Sequence, residues 1–150
     1  MADVHDAPTR SRNMAAIRSG NTKPELIVRQ ALHAMGLRYR LHVTNLPGKP
    51  DVVLARHRAV VFVNGCFWHH HNCDLFKWPA TRSDFWHAKI SRNVANDARA
   101  ISELRQSGWR VAVIWECALK GRTKLDVGQA MQELADWIKS PEETFSIRGK

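Results

Sequence analysis

An α/β domain with a central mixed sheet flanked by helices is the fold class this sequence predicts, on three observations. Two short apolar runs, Val52–Ala55 and Ala59–Val63, flank a polar turn at Arg56–Arg58 and read as a hairpin. A long helix-like segment then separates the second run from a buried strand, Trp109–Trp115, an order that favours a right-handed parallel crossover. Hydrophobic residues make up 44% and charged residues 25%, the balance of a globular chain, and 150 residues fit one domain that buries roughly 70% of its unfolded surface.

Taken in order, residues 1–20 carry Arg10, Arg12 and Arg18 with little periodicity and read as a basic arm, with Met14 as its one large apolar side chain near Asn13–Ile17. Thr22 and Glu25 form a capping-box pattern with Pro24 in the first turn, announcing a helix to about Met35 that Gly36 stops. Ile27, Ala31, Ala34 and Met35 recur on its apolar face. Pro47, Gly48 and Pro50 break regular structure ahead of the hairpin, so Asp51 stands at its mouth. The next helix spans about Asp84–Gln106, capped by Thr81 or Ser83, with an apolar stripe at Ile90, Val94, Ala98, Ile101 and Leu104. A last helix covers about Leu125–Ile138, and residues 141–150 read as a flexible tail after the main domain over 21–140.

The formal charge of +9 points to a polyanionic partner, phosphate backbone before all others. The longest apolar run is far short of the ~20 residues a membrane span needs, and MADVHDAPTR has no secretory apolar segment, so a cytoplasmic protein is expected. An odd three cysteines argue against a disulfide framework. No heptad or apolar surface strip is evident, which makes a monomer the expectation.

Chemistry concentrates in VVFVNGCFWHHHNC, Val60–Cys73. Cys66, His71 and Cys73 lie close together, and Cys117 beyond the last strand could complete a tetrahedral zinc site of the closed, structural kind; the alternative is three buried thiols. Asp51 is a hard oxygen donor suited to Mg²⁺, and a histidine beside it, His69 or His70, has the unperturbed pKa of roughly 6.5 that suits a general base. Together they describe metal-assisted phosphodiester hydrolysis. Phe67, Trp68 and Trp86 read either as core or as wedges between base steps. Glu25 has a sufficient structural role as the partner of Thr22.

Six stretches carry a resemblance that covers about residues 3–138: NMxxIxxxNTKPE (Asn13–Glu25), LPGKPD (Leu46–Asp51), VFVNGCFWHHHNC, FKWPATR (Phe76–Arg82), FWxxKIxxNxxxD (Phe85–Asp97) and GWRVxVIWECAL (Gly108–Leu119). They closely resemble the very-short-patch repair endonucleases. The resemblance implies a restriction-endonuclease-like fold with a structural zinc site, and a Mg²⁺-dependent nick 5′ of the thymine in T·G mismatches left by 5-methylcytosine deamination. It implies a bacterial, nucleoid-associated enzyme whose partners are double-stranded DNA with that mismatch, mismatch-repair proteins and a repair polymerase. Carried over by position, Asp51 and the backbone carbonyl of Val63 hold Mg²⁺, His69 is the base, Glu25 reaches the metal's waters and Asp97 supports. Cys66, His71, Cys73 and Cys117 match the zinc ligands. Phe67, Trp68 and Trp86 match the major-groove wedge, Met14 a residue entering the minor groove, and Lys89 and Asn93 contacts to the mismatch. The Glu-x-Lys of related restriction-type nucleases is absent from the second strand, and Val63 and Asn64 stand where a family member has Thr and His.

Overall fold

The structure, a computed structural model, describes residues 22–150. The arm expected over residues 1–20, Met14 included, lies outside the described residues. Helix α1, Lys23–Ala34, starts as its sequence dictates: Glu25 N–H donates to Thr22 Oγ1 at 3.4 Å and Thr22 N–H donates to Glu25 Oε2 at 3.2 Å, with Pro24 in the first turn. Its buried face is shifted from the expected stripe. Val28 and Leu32 are the buried apolar anchors, Ile27, Ala31 and Met35 are half-buried and Ala34 is exposed. Val28 and Leu32 sit four apart and present larger side chains than the two alanines, so they take the centre of the contact.

The sheet has five strands in sequence order: β1 (Arg40–Leu41), β2 (Val52–Leu54), β3 (Ala59–Asn64), β4 (Arg110–Trp115) and β5 (Thr144–Ile147). The first three pair antiparallel and the last three parallel, giving the expected mixed sheet. A 3-10 turn at Ala55–His57, closed by Arg58 in the left-handed region at φ 52°, makes the hairpin bend. Alternation along β3 sends Ala59, Val61 and Val63 into one core and Val60 into the other. The first core is filled from α1, from the one-turn α3 (Glu116–Leu119) and from α4 (Val127–Ile138), through Leu32, Leu119, Leu134 and Ile138 among others. Helix α2 (Ser83–Gln106) contributes Leu104 and half-buried Ile101 to the second. Helices therefore cover both faces, as a parallel β3–α2–β4 crossover requires.

Several expectations are corrected. Helix α2 has no hydroxyl cap from Thr81 or Ser83: its N-cap is Arg82, left-handed at φ 53°, with the guanidinium 4.2 Å over the Phe85 ring. Its buried residues are Ile90, Ala100 and Leu104, whereas Val94 is 41% exposed and Ala98 is exposed. At 100° per residue, Trp86, Ile90, Asn93, Asp97, Ala100 and Leu104 share one face, so the inward stripe is interrupted by polar residues and an apolar count misses it. Helix α4 begins two residues later than expected because Asp126 accepts from Gln129 N–H at 3.0 Å and serves as its cap. The expected flexible tail is instead the edge strand β5, in parallel register with β4 from Val111↔Thr144 to Ile114↔Ile147, and Ile147 is buried. Thr144, Phe145 and Ile147 are β-prone residues in a polar setting, a pattern that a four-residue strand barely displays.

Arg110 locks this edge. Its guanidinium donates to the carbonyls of Trp137 (3.1 Å), Ile138 (2.6 Å), His57 (2.9 Å) and Glu142 (3.2 Å), placing a cation on the carbonyl end of α4. The centre of the sheet should dominate stability. Ile114→Ala, at a fully buried position of β4, is expected to cost about 2–5 kcal/mol in urea denaturation. Val94→Ala, on the exposed side of α2, should stay within about 0.5 kcal/mol of the parent chain; comparable losses at both positions would contradict the assigned helix face.

Candidate nuclease site and metal-binding cluster

A cleft of about 870 Å³ opens where α1, the mouth of the hairpin, the loop after β3 and the inward face of α2 meet. Glu25, Asp51, Val63, Phe67, Trp68, His69, Lys89, Asn93 and Asp97 all line it. A separate cavity of about 600 Å³ at the far end of α2, beside Ser102, Arg105 and Trp109, contains none of the predicted site residues.

Asp51 stands directly before β2, and its Oδ2 accepts from Val63 N–H at 2.6 Å, which anchors the carboxylate across the hairpin. Burial pushes its pKa from 3.8 up to about 8, and the hydrogen-bonded Glu25 carboxyl adds to the rise against the opposing pull of the Val63 amide and Arg29. Glu25 is itself buried at 6% exposure. One carboxylate thus serves both the helix cap and the cleft, because the first turn of α1 lies at the site. Two carboxyl groups so close in a buried corner are oxygen donors of the kind a hard divalent cation takes.

His69 faces this pair from the loop after β3. Its Nδ1 pairs with Asp97 Oδ2 on α2. A carboxylate only accepts, so Nδ1 carries the proton and the lone pair is left on Nε2. Asn93, one turn before Asp97, donates from Nδ2 to the Trp68 carbonyl at 3.0 Å, so α2 holds the loop at both positions. The sequence reading missed Glu116, whose Oε1 accepts from Cys66 N–H at 3.1 Å, and the opposite wall formed by His42, Thr44 and Lys49. Glu116 lies directly between β4 and Cys117, a position whose only sequence signal is that adjacency.

Behind the cleft, the ligand atoms of Cys66, His71, Cys73 and Cys117 all lie within 4.8 Å of one another. His71 Nδ1 is 3.5 Å from both Cys66 Sγ and Cys117 Sγ. Tetrahedral zinc with its usual sulfur and nitrogen bond lengths requires a sulfur–nitrogen separation of about 3.5 Å, so the donor set fits that ion. Burial pushes the Cys66 thiol pKa far above the ordinary range, an upward shift that a bound dication would reverse. Burial, then Arg148, pulls the His71 imidazole down and keeps it neutral, the form that binds metals. The ring stacks on Trp115 at 3.9 Å and 10°, which fixes its orientation.

Three rings stand at the rim. Phe67 meets Trp68 edge-on at 5.1 Å and Trp86 edge-on at 5.3 Å, and the two tryptophans lie 5.9 Å apart. All three are half-buried, and none belongs to either of the two hydrophobic cores.

With this geometry in place, comparison with known proteins is decisive. Residues 2–75 match the family described as DNA mismatch endonuclease Vsr. Over 138 residues the chain is 51% identical to DNA mismatch endonuclease Vsr of Escherichia coli (strain K12), covering 92% of this chain and 88% of that protein. The chain belongs to the Vsr DNA mismatch endonuclease family. It is also 49% identical over 114 residues to Type II nicking enzyme V.XorIIP of Xanthomonas oryzae pv. oryzae, covering 75% of this chain and 84% of that one. Its fold is shared with a homing endonuclease I-Bth0305I catalytic domain at a TM-score of 0.52 and 23% identity, over 79% of this chain and 97% of that domain. In this Vsr family member no helix among the described residues is long and apolar enough to cross a membrane.

The raised Asp51 pKa has a consequence for stability. Without a cation, the folded chain holds a proton at Asp51 that the unfolded chain has released, so stability falls as pH rises from about 4 to about 8. Asp51→Asn removes that dependence. In metal-free buffer the melting temperature of the variant relative to the parent should therefore rise between about pH 5 and about pH 8. A difference that stays constant between the two pH values would show that Asp51 titrates normally.

Proposed function

We propose that this chain is a strand-specific mismatch endonuclease that nicks 5′ of the thymine in T·G mismatches arising from 5-methylcytosine deamination, and so initiates very-short-patch repair. The observation that carries the reading is the meeting, in one cleft walled by aromatic rings, of the Glu25–Asp51 carboxyl pair with the His69–Asp97 pair. Asp51 and the Val63 carbonyl would hold Mg²⁺, with Glu25 reaching its waters. When bound, that ion neutralises charge developing on the phosphate. His69 takes a proton at Nε2 while Asp97, at Nδ1, keeps the imidazole in the tautomer that can do so.

Zn²⁺ at Cys66, His71, Cys73 and Cys117 is structural in this reading, because four protein ligands leave no open position. Phe67, Trp68 and Trp86 enter the duplex from the major groove, where unstacking costs least at a mispaired step. Lys89 and Asn93 contact the mismatch, and Met14 enters the minor groove from the basic arm. The domain divides into that arm over residues 1–20 and the endonuclease body that follows. The chain acts as a monomer in the bacterial cytoplasm, at the nucleoid, ahead of a repair polymerase and mismatch-repair proteins.

Strand-resolved nicking of a labelled duplex with one T·G mismatch, beside its T·A counterpart, tests this directly. The expected result is one Mg²⁺-dependent cut 5′ of the mismatched thymine, abolished in Asp51→Asn with binding retained and slowed on the order of 10²-fold in Asp97→Asn. Replacing Phe67, Trp68 and Trp86 with alanine should erode mismatch preference more than affinity for matched duplex. Cutting of both duplexes would favour a less specific nuclease, and tight binding without any cut would leave a zinc-stabilised DNA-binding module.

A further inference from the structure

Strand β5 leads into Arg148–Lys150, which crosses the Cys117 side of the metal-binding cluster. Gly149 is buried, and its N–H donates to Cys117 Sγ at 3.3 Å. The approach is close: a Cβ at Gly149 would lie 2.5 Å from the Cys117 carbonyl oxygen, 2.5 Å from Thr123 Oγ1 and 2.7 Å from the Thr123 carbonyl oxygen. Only glycine fits, although no unusual backbone angle demands it. Lys150 N–H donates to the Thr123 carbonyl at 3.0 Å, fastening the far side of the glycine. Arg148 Nη2 donates to the carbonyl of Asn72 at 2.5 Å, between His71 and Cys73. One short strap therefore grips both halves of the cluster, the strand-end half at Cys117 and the loop half at Asn72.

An amide N–H on a metal-bound thiolate fixes the sulfur's orientation and draws off part of its charge. Such outer partners typically account for 10–100-fold in metal affinity. We propose that Gly149 is a positioning residue for the metal cluster, holding Cys117 through its amide, and that with Arg148 it forms a latch that slows loss of the ion. The latch rests on the zinc reading given above. It also links β5 to the loop that carries Phe67, Trp68 and His69, because that loop is held through the same ion.

The test uses the full-length chain: zinc content, release of zinc to a chromogenic chelator, and the thiolate-to-metal charge-transfer band of the cobalt(II)-substituted protein. Gly149→Ala should release zinc on the order of 10-fold faster and move the band to lower energy, because Cys117 loses its hydrogen-bond donor. Arg148→Ala, a change at an exposed side chain, should speed release without moving the band. A folded Gly149→Ala with unchanged release and unchanged band would overturn the latch. If Gly149→Ala does not accumulate as folded protein, unchanged release in Arg148→Ala overturns it instead. A parent chain free of zinc would overturn the metal reading itself, whereas stoichiometric zinc with unaltered release removes the latch alone.

Discussion

The parallel pairing of β3 with β4 is the constraint on which the site depends. Its register ends at Val63↔Ile114 and Asn64↔Trp115, so both chains leave the sheet side by side and in the same direction. Cys66 and Cys117 each follow two residues later, and Glu116 reaches back to the Cys66 amide. An antiparallel pairing would send the two cysteines to opposite edges. Open α/β sheets gather ligands at the carboxyl ends of their strands for the same reason. Here that edge carries the Cys66, His71, Cys73 and Cys117 cluster and the cleft proposed as the nuclease site, with one loop serving both.

That loop has little apolar content with which to order itself. His69 and His71 are two residues apart and point to different tasks: His71 Nδ1 turns inward to the sulfurs, and His69 turns outward to Asp97. A shift of the loop by two residues would exchange a candidate metal donor for a candidate base. The cluster on one side and Asn93 and Asp97 on the other therefore define its register. Electrostatics favours the same arrangement, since the buried Asp51 and Glu25 carboxyls are unfavourable together until a cation joins them. The cleft is poised to bind positive charge in a chain whose overall charge is +9 and whose partner is an anion.

Much of this was legible because the relevant signals are local. The capping box at Thr22–Glu25, the hairpin and the β3–α2–β4 crossover are each written in adjacent residues, and the spacing of the cysteines and histidines already marks the four side chains that the fold brings together. What escaped was tertiary. The apolar stripe of α2 was misassigned because its inner face carries Asn93 and Asp97, polar residues placed there by the site rather than by packing. Strand β5 escaped because an edge strand of four residues in a polar segment has no period to detect. The wall made by His42, Thr44 and Lys49 escaped because irregular loops have no spacing rule, and Glu116 because only the fold brings it to Cys66.

The aromatic rim shows how the two metal-related parts divide the work. A wedge must be exposed to reach a base step, yet a freely rotating tryptophan loses conformational freedom on insertion. Phe67, Trp68 and Trp86 restrain one another edge to face, and each is fastened to something rigid: the first two to the loop beside the metal-binding cluster, the third to the first turn of α2. Asn93 then ties the Trp68 carbonyl to the same helix that holds Trp86. Ordering is thus completed during folding rather than at binding. In the wedge proposed above, the energy of insertion would then go into opening the duplex, and the differential cost of opening paired and mispaired steps would appear as specificity.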